Sequence, residues 1–329
     1  MANIREVANK AGVSSATVSR VLNNAHAVTE NTRQKVEQAI KDLNYEPSML
    51  GRNLRNSESR LLLVVIPNFS NPYYTEIING IEDYSIEQGY NILLCETDSN
   101  PNRENIFFNM VKNKLADGVI SMDPTVNMDK LQELAEKHAI VMCSEYDEQE
   151  RIPYVAINNE RAAYKVAKHL IRLGHEKIAL INSDEKFLYA RQRRKGYERA
   201  LKEFGLPIKL EWIYHTQGLD FQDGSQAMRK LLQLEECPTA VFAVSDTIAI
   251  GALKEVNVQE LKVPDDIALV GFDNISFSNM TNPTLTTVAQ PMYQMGKTAA
   301  SMLINRLQGQ KVDSVVLDDE LIIRESTLN

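Results

Sequence analysis

The chain has 329 residues, of which 43% are hydrophobic, and carries a formal net charge of −8. This length and composition allow two or three domains with a large core. They exclude the possibility that the chain is a disordered tail. The charge is unevenly divided, because residues 1–60 carry a net charge of +3 and residues 61–329 carry −11. A basic unit on an acidic body suits a polyanionic partner held at one end; the alternative is chance variation in a small domain.

Cysteine usage and the lack of long apolar runs bear on the compartment. Cys95, Cys143 and Cys237 are widely spaced and adjoin apolar stretches, which favours reduced, buried thiols. No stretch approaches the ~20 apolar residues that span a bilayer, and the first thirty residues hold no apolar run that suits a signal peptide. We therefore expect a cytoplasmic protein with no membrane partner.

The N-terminal 46 residues predict three short helices. Apolar positions recur at helical spacing over 4–11, with Asn3 as a possible N-cap. Gly12 provides a tight turn before a second helix over 15–23, and Thr29 begins a third. The tight first turn between short helices indicates a helix-turn-helix unit over residues 1–46.

From Leu61 onward, short apolar runs alternate with longer amphipathic segments. The runs are LLLVVI (61–66), NILLC (91–95), DGVIS (117–121), AIVMC (139–143), YVAI (154–157), KIALI (177–181), TAVFAV (239–244) and DIALVGF (266–272). Such alternation predicts an α/β fold built from βαβ units around parallel sheets. Eight strands exceed the needs of one ordinary doubly wound domain, so we expect two similar lobes over 61–329.

The second helix of a helix-turn-helix unit enters the major groove, where its N-terminal residues meet base edges. Arg20 can pair with guanine, Ser15 can donate or accept, and Ala16 can touch a thymine methyl. Ser14 can cap this helix. Thr17, Ser19 and Asn24 carry hydroxyl or amide groups suited to phosphates. The alternative is a solvated polar helix face.

Several segments carry a resemblance to a known family. Residues 4–23, IREVANKAGVSSATVSRVLN, followed by TRQKVEQAIKDLNYEPS, are similar to the headpiece of the lactose-repressor (LacI/GalR) family of bacterial transcription regulators. The similarity continues through NPYYTEIINGIED (71–83), ADGVI (116–120), HLIRLGHEKIALI (169–181), PTAVFAVSD (238–246), VPDDIALVGFDN (263–274) and PTLTTVAQP (283–291). Within the family, GRNLRNSESR, NPYYTEIINGIE, VMCSEY and ELIIREST most resemble its cytidine-responsive branch.

The resemblance implies a homodimer whose small all-α headpieces bind near-palindromic double-stranded operator DNA, in association with the bacterial nucleoid. It also implies a periplasmic-binding-protein-like core of two parallel-sheet lobes with a small-molecule effector between them. The N-lobe is expected at about 61–158 and 290–318, and the C-lobe at about 159–289 and 319–329. The DNA-binding residues expected are Ser14, Ser15, Ala16, Thr17, Ser19, Arg20, Asn24, Tyr45, Leu54 and Arg55.

Residues 47–60 form a polar, basic hinge or linker, but Leu50 and Leu54 are too apolar for a simple spacer. At i, i+4 spacing both would share one face of a short helix, which is marginal in water without DNA. The resemblance implies that Leu54 wedges into the minor groove, with Arg55 beside it. Packing of Leu54 on the core or on the dimer partner is the alternative.

Ligands in open α/β sheets sit beyond the carboxyl ends of strands. Polar and aromatic groups follow several of the apolar runs, although taken singly each is more often a helix cap or a surface-loop residue than a ligand contact. The family resemblance implies that Arg193 in RQRRKGY and Asp273 in GFDN clamp the effector. The full set of effector-binding residues expected is Tyr73, Tyr74, Ser144, Arg193, Phe221, Ser245, Asp273 and Gln290, with Leu219 competing with Phe221 for one position.

This mixture suits a glycosyl group, because aromatic faces stack on rings while a carboxylate and a guanidinium bind hydroxyls. Many sugar-responsive members carry aspartate where Ser144 stands, so we favour a nucleoside, with a free or phosphorylated sugar as the alternative.

Other functional classes are less well supported. The chain lacks GxGxxG, GxxxxGK[ST], GxSxG and HExxH, and its five histidines lack ligand spacing, so we expect no enzyme activity, cofactor or metal. A transport binding protein would need an export signal and no headpiece. A catabolite-control regulator driven by a phosphorylated carrier protein stays open, although Ser301 and Met302 stand where that branch has a basic pair.

Overall fold

The computed structural model describes residues 2–23, 28–45, 58–98, 100–122 and 128–328. The predicted site residues Asn24, Leu54 and Arg55, and most of the linker, lie outside these ranges. The chain divides into two compact units, Met1–Ser59 and Arg60–Asn329. Among the described residues, no helix is both long enough and apolar enough to cross a membrane.

Within its described ranges, 2–23, 28–45 and 58–59, the first unit has three helices: α1 (Ile4–Ala11), α2 (Ser15–Asn23) and α3 (Glu30–Asp42). Asn3 caps α1 as predicted, since its Oδ1 accepts from the backbone N–H groups of Arg5 and Glu6. Gly12 ends α1 with a φ of +67°, a left-handed conformation that glycine adopts without strain. The core of this unit is small and apolar, and its buried members are Val7, Ala8, Val18, Val36 and Ala39.

The second unit alternates strands and helices along the chain. Its strands are β1 (Leu61–Ile66), β2 (Asn91–Glu96), β3 (Gly118–Ser121), β4 (Ala139–Cys143), β5 (Tyr154–Ile157), β6 (Ile178–Asn182), β7 (Ile213–His215), β8 (Ala240–Ala243), β9 (Ala268–Asp273), β10 (Thr286–Ala289), β11 (Val315–Leu317) and β12 (Glu320–Ile322). Its helices are α4 (Tyr73–Glu87), α5 (Pro101–Lys112), α6 (Met128–Ala135), α7 (Asn159–Arg172), α8 (Leu188–Glu203), α9 (Phe221–Leu232), α10 (Asp246–Val258) and α11 (Met292–Leu307).

The strands form two six-stranded sheets, in the orders β11-β5-β4-β3-β1-β2 and β12-β10-β9-β8-β6-β7. Every pairing is parallel except that of β10 with β12. The predicted α/β fold with a helical headpiece and two parallel-sheet lobes is therefore confirmed. The chain passes between the sheets after β5, after β10 and again after β11, so three segments join the lobes.

Helices pack in pairs on these sheets, and α4 meets α11 at glycines. A Cβ added to Gly80 would lie 2.1 Å from the Tyr293 carbonyl oxygen, and one added to Gly296 would lie 1.9 Å from that of Ile77. Two helix backbones can approach this closely only where both side chains are absent. The pair thus positions α4, whose first residue is a site residue, Tyr73.

The three cysteines are free thiols. Cys95 and Cys143 are buried as predicted, and burial raises the pKa of the Cys95 thiol to about 11. Cys237 is only half-buried, contrary to the expectation, because it lies in the loop before β8 and not within the strand.

Candidate functional site

A hydrogen-bonded chain of side chains connects the two lobes. The Ser144 hydroxyl bonds to the Tyr73 hydroxyl at 2.8 Å, and Tyr73 donates to Gln290 Oε1 at 3.2 Å. Gln290 Nε2 donates to Asp273 Oδ1 at 2.7 Å, and Arg193 Nη1 lies 3.8 Å from the same oxygen. The chain runs from the first sheet, through the segment after β10, to the second sheet. Five of the eight predicted effector residues therefore lie together.

The Arg193 side chain is held in place on several sides. Its Nε donates to Asn159 Oδ1 at 2.9 Å, and its Nη1 donates to the Val244 carbonyl oxygen. The guanidinium carbon lies 3.6 Å from the centre of the Phe272 ring and 5.0 Å from that of Tyr189, within cation–π distance of both. Nη2 donates no hydrogen bond to any residue that the structure describes, so this buried cation retains donors for a ligand.

The site contains two strained backbone positions. Ser144 has a φ of +73° and Asp273 a φ of +115°, values that non-glycine residues rarely adopt. Ser144 directly follows β4 and Asp273 is the last residue of β9, so both occur where the chain leaves a sheet. Strain of this kind persists only where surrounding contacts impose it, and it is concentrated at ligand sites.

Burial also perturbs the acids of this site. It raises the pKa of Asp273 to about 7, although Arg193 and the Gln290 amide act in the opposite direction. Burial raises the pKa of the Tyr73 hydroxyl as well, so this group remains a protonated donor. A perturbed carboxyl beside a guanidinium in a cleft is typical of a functional site.

Three predicted effector residues are placed differently. Tyr74 is half-buried and meets Tyr73 edge-on, with ring centres 5.3 Å apart. Ser245 caps α10 by accepting from the Ile248 N–H at 3.3 Å, which is the alternative role considered for it. Phe221, at the start of α9, is 43% exposed and meets the exposed Phe277 edge-on. None of the three joins the hydrogen-bonded chain.

Two residues of the site were not among the eight effector-binding residues expected, although Glu145 belongs to the polar residues that follow the apolar runs. Glu145 follows Ser144 and is buried, with its carboxylate accepting from the backbone N–H groups of Leu188 at 3.0 Å and Tyr189 at 2.9 Å. Tyr189 lies four residues before Arg193 and donates or accepts with Ser183 at 2.6 Å. The i, i+4 spacing puts Tyr189 on the same helix face as Arg193, so the sequence carried a signal for the contact between them. No sequence signal pairs Glu145 with residues 43 and 44 positions away.

In the first unit, the second helix presents part of its predicted DNA-reading face. Ala16 and Arg20 are exposed, and Ser15 and Thr17 are half-buried. Ser14 caps α2, because its hydroxyl accepts from the Thr17 N–H at 3.1 Å. Ser19 differs, since it is only 6% exposed and thus poorly placed to reach a phosphate. Tyr45 is half-buried against the small core, which gives it a packing role as well.

Both units match known families. Residues 3–48 match the family described as bacterial regulatory proteins, lacI family, and residues 59–324 match periplasmic binding proteins and sugar binding domain of LacI family. The chain belongs to the LacI family of bacterial regulatory proteins. It is therefore a DNA-binding transcriptional regulator with an effector-binding core, and the relatives it resembles are regulators by name and not enzymes.

Individual relatives match all or most of this LacI-family chain. It is 38% identical over 329 residues to the HTH-type transcriptional repressor CytR of Escherichia coli strain K12, covering 99% of this chain and 96% of the relative. It superposes on the lac repressor dimer bound to operator and the anti-inducer ONPF with a TM-score of 0.91 and 26% identity, covering 100% and 99% of the two chains. A LacI family regulator from Enterococcus faecium with bound ribose superposes with a TM-score of 0.73 and 26% identity, covering 81% of this chain and 98% of that chain.

Proposed function

We propose that this protein is a repressor that binds a near-palindromic operator as a homodimer, with an affinity set by a nucleoside bound between the two lobes of its core. The observation that carries the proposal is the hydrogen-bonded chain from Ser144 to Asp273, which ends on the ion pair of Asp273 with Arg193. These hydrogen-bonded side chains join both lobes and offer donors and acceptors suited to a polar ligand. A molecule bound there therefore contacts both lobes and stabilises one arrangement of the lobes over another.

The chemistry of the cleft favours a nucleoside over simpler ligands. The Asp273 carboxylate and the Arg193 guanidinium suit ribose hydroxyls, and the rings of Tyr73 and Tyr189 suit stacking on a base. Ser144 offers a neutral hydroxyl, which has less acceptor strength for sugar hydroxyls than an aspartate. The similarity to CytR supports the same choice.

A free or phosphorylated sugar is the second candidate. It is supported by the sugar-binding description of the core family and by the ribose in the Enterococcus faecium neighbour. Control by a phosphorylated carrier protein has less support, because Ser301 is half-buried and Met302 is 6% exposed, so neither provides the surface cation that such a partner requires.

The operator-binding part of the proposal depends on α2. Its exposed Arg20 carries donors that suit guanine O6 and N7, and Ala16 precedes it by one turn on the exposed face. A dimer presents two such helices, which accounts for a two-fold related operator. The superposition on the operator-bound lac repressor dimer supports both features.

A thermal-shift screen of nucleosides, purine bases and sugars tests the effector. A ligand at about 100 times its dissociation constant adds about 2.7 kcal/mol to the free energy of unfolding. We expect a nucleoside to raise Tm and the corresponding base alone to raise it less. Stabilisation by sugars only would contradict the nucleoside proposal and favour a sugar as the effector.

A further inference from the structure

The α8 N-terminus and Arg193 together form a positively polarised corner of the cleft. The first N–H groups of a helix lack intrahelical partners and carry the positive end of the helix dipole. Phe187, at the N-cap position of α8, makes no side-chain cap. The buried Arg193 guanidinium lies one turn further along the same helix. Such a corner would ordinarily attract a phosphate or a carboxylate.

In this protein, the corner is occupied by a carboxylate from the opposite lobe. Glu145 follows β4 of the first sheet and is 6% exposed, and its two oxygens accept from the Leu188 and Tyr189 N–H groups, one bond to each oxygen. Arg193 and Arg191 are the cations that act on it electrostatically. Arg191 is itself paired with Glu148 at 3.0 Å. Glu145 thus neutralises the donors that an anionic ligand would use.

We propose that Glu145 is a specificity residue that excludes phosphorylated effectors, so that the cleft accepts a neutral nucleoside and rejects its nucleotide. The carboxylate takes both N–H donors and places a negative charge beside the effector site. A phosphorylated ligand would meet this charge at close range, while an uncharged ligand would meet only the residues of the Ser144–Arg193 chain. The inference rests on the proposed function in its choice of a neutral ligand.

Glu145 lies close to the Ser144–Arg193 chain, because it directly follows Ser144 in the sequence. The preceding residue, Ser144, bonds to the Tyr73 hydroxyl. The Tyr189 backbone N–H donates to the Glu145 carboxylate, and the Tyr189 ring lies beside the Arg193 guanidinium. Burial raises the pKa of Glu145 to about 7. The test is therefore made at about pH 8, where the carboxylate is ionised.

The experiment compares full-length wild type with Glu145→Ala and Glu145→Gln. Alanine vacates both N–H groups, whereas glutamine removes the charge, keeps one acceptor oxygen and leaves the second N–H facing an amide NH2. Glu148→Gln is the matched control, since it removes one exposed carboxylate from the same loop. Folding of each variant is verified by circular dichroism. Binding is measured by calorimetry with inorganic phosphate, cytidine and cytidine 5′-monophosphate, in chloride of matched ionic strength.

We expect phosphate to bind Glu145→Ala at least about tenfold more tightly than wild type or Glu148→Gln, which corresponds to about 1.4 kcal/mol. We also expect the ratio of nucleotide to nucleoside affinity to rise at least about tenfold in Glu145→Gln. Unchanged phosphate affinity in both folded Glu145 variants would overturn the inference. If cytidine fails to bind wild type while phosphate gains affinity for Glu145→Ala, the specificity inference stands and the nucleoside proposal fails.

Discussion

Arg193 is the residue on which we expect effector binding to depend most. It is buried, it contacts Asn159, Val244 and Asp273, and it retains an Nη2 that the described residues leave unbonded. We predict that Arg193→Ala weakens effector binding by about 2–5 kcal/mol, because the alanine variant leaves the Asp273 carboxylate without its cation. Operator affinity in the absence of effector should change little.

Calorimetric titration of the effector measures this change, and Arg199→Ala is the control. Arg199 lies on the same helix, is exposed and pairs with Glu160 on the surface. A normal effector response in Arg193→Ala would show that the clamp is wrongly placed.

Arg20 is the corresponding residue in the headpiece. A guanidinium bonded to a guanine contributes at one base pair only, whereas a phosphate contact contributes to every sequence. We predict that Arg20→Ala costs about 1–3 kcal/mol and relaxes preference at one base pair per half-site. Binding to a set of single-base operator variants measures this, with Thr17→Ala as the phosphate-type comparison. A uniform loss across the set would reassign Arg20 to the backbone.

Two of the buried carboxyls, Glu145 and Asp273, make stability depend on pH. Burial raises the pKa of both Glu145 and Asp273 to about 7, whereas the unfolded chain holds such groups at about 4. Between these values the folded protein binds more protons than the unfolded chain, so stability falls as pH rises from about 4 to about 7. We predict that Tm falls less over this pH window in the double variant Glu145→Gln/Asp273→Asn than in wild type. An equal slope in wild type and in this double variant would contradict it.

At the scale of the element, the α4–α11 pair positions Tyr73 and depends on two glycines. A methyl group at Gly296 would meet the Ile77 carbonyl oxygen, which is backbone and cannot rotate away. We predict that Gly296→Ala lowers the free energy of unfolding by about 1–3 kcal/mol, as overpacking does. Gln294→Ala, at an exposed position of α11, is the control in urea denaturation. A stability equal to that of the control would mean that the helices separate without cost.

The elements that the sequence could predict are those with strong local patterns. All eight long apolar runs form strands, and all of these except β2 are buried on both faces, where a strand must be apolar throughout. The remaining strands have three or four residues each: β7, β10 and β12 are of mixed polarity, and β11 is the short apolar segment VVL. Their positions depend on pairing with distant strands, as in β11 with β5, which no local pattern encodes.

The same division holds for the site. Tyr73, Ser144 and Asp273 follow or end apolar runs, and that position was the guide to them, whereas Gln290 was expected from the family resemblance alone. The Glu145 cap was not predictable, since a carboxylate that caps a helix of the other lobe leaves no trace at sequence spacing. Ser245 shows the converse case, because its hydroxyl caps a helix, and its contact with the effector stays a prediction.

At the scale of the whole molecule, the LacI-family chain joins a basic helical unit to an acidic two-lobed core. Residues 1–60 carry +3, so phosphate attraction is confined to one end, while the −11 of the remainder keeps the core from binding DNA unspecifically. Regulation requires that a ligand in the core alters DNA affinity. By linkage, the same ligand must then bind DNA-bound and free protein with different affinities.

The most direct test is fluorescence anisotropy of the full chain on a palindromic DNA selected from a random duplex library, titrated with and without nucleosides. We predict tight binding to the selected DNA with a steep dependence on salt. We also predict that at least one nucleoside changes the dissociation constant by about fivefold or more, as allosteric coupling of 1–3 kcal/mol requires, and that Arg193→Ala abolishes the change. Sequence-specific binding that no nucleoside alters, at concentrations where the nucleoside raises Tm, would contradict the account.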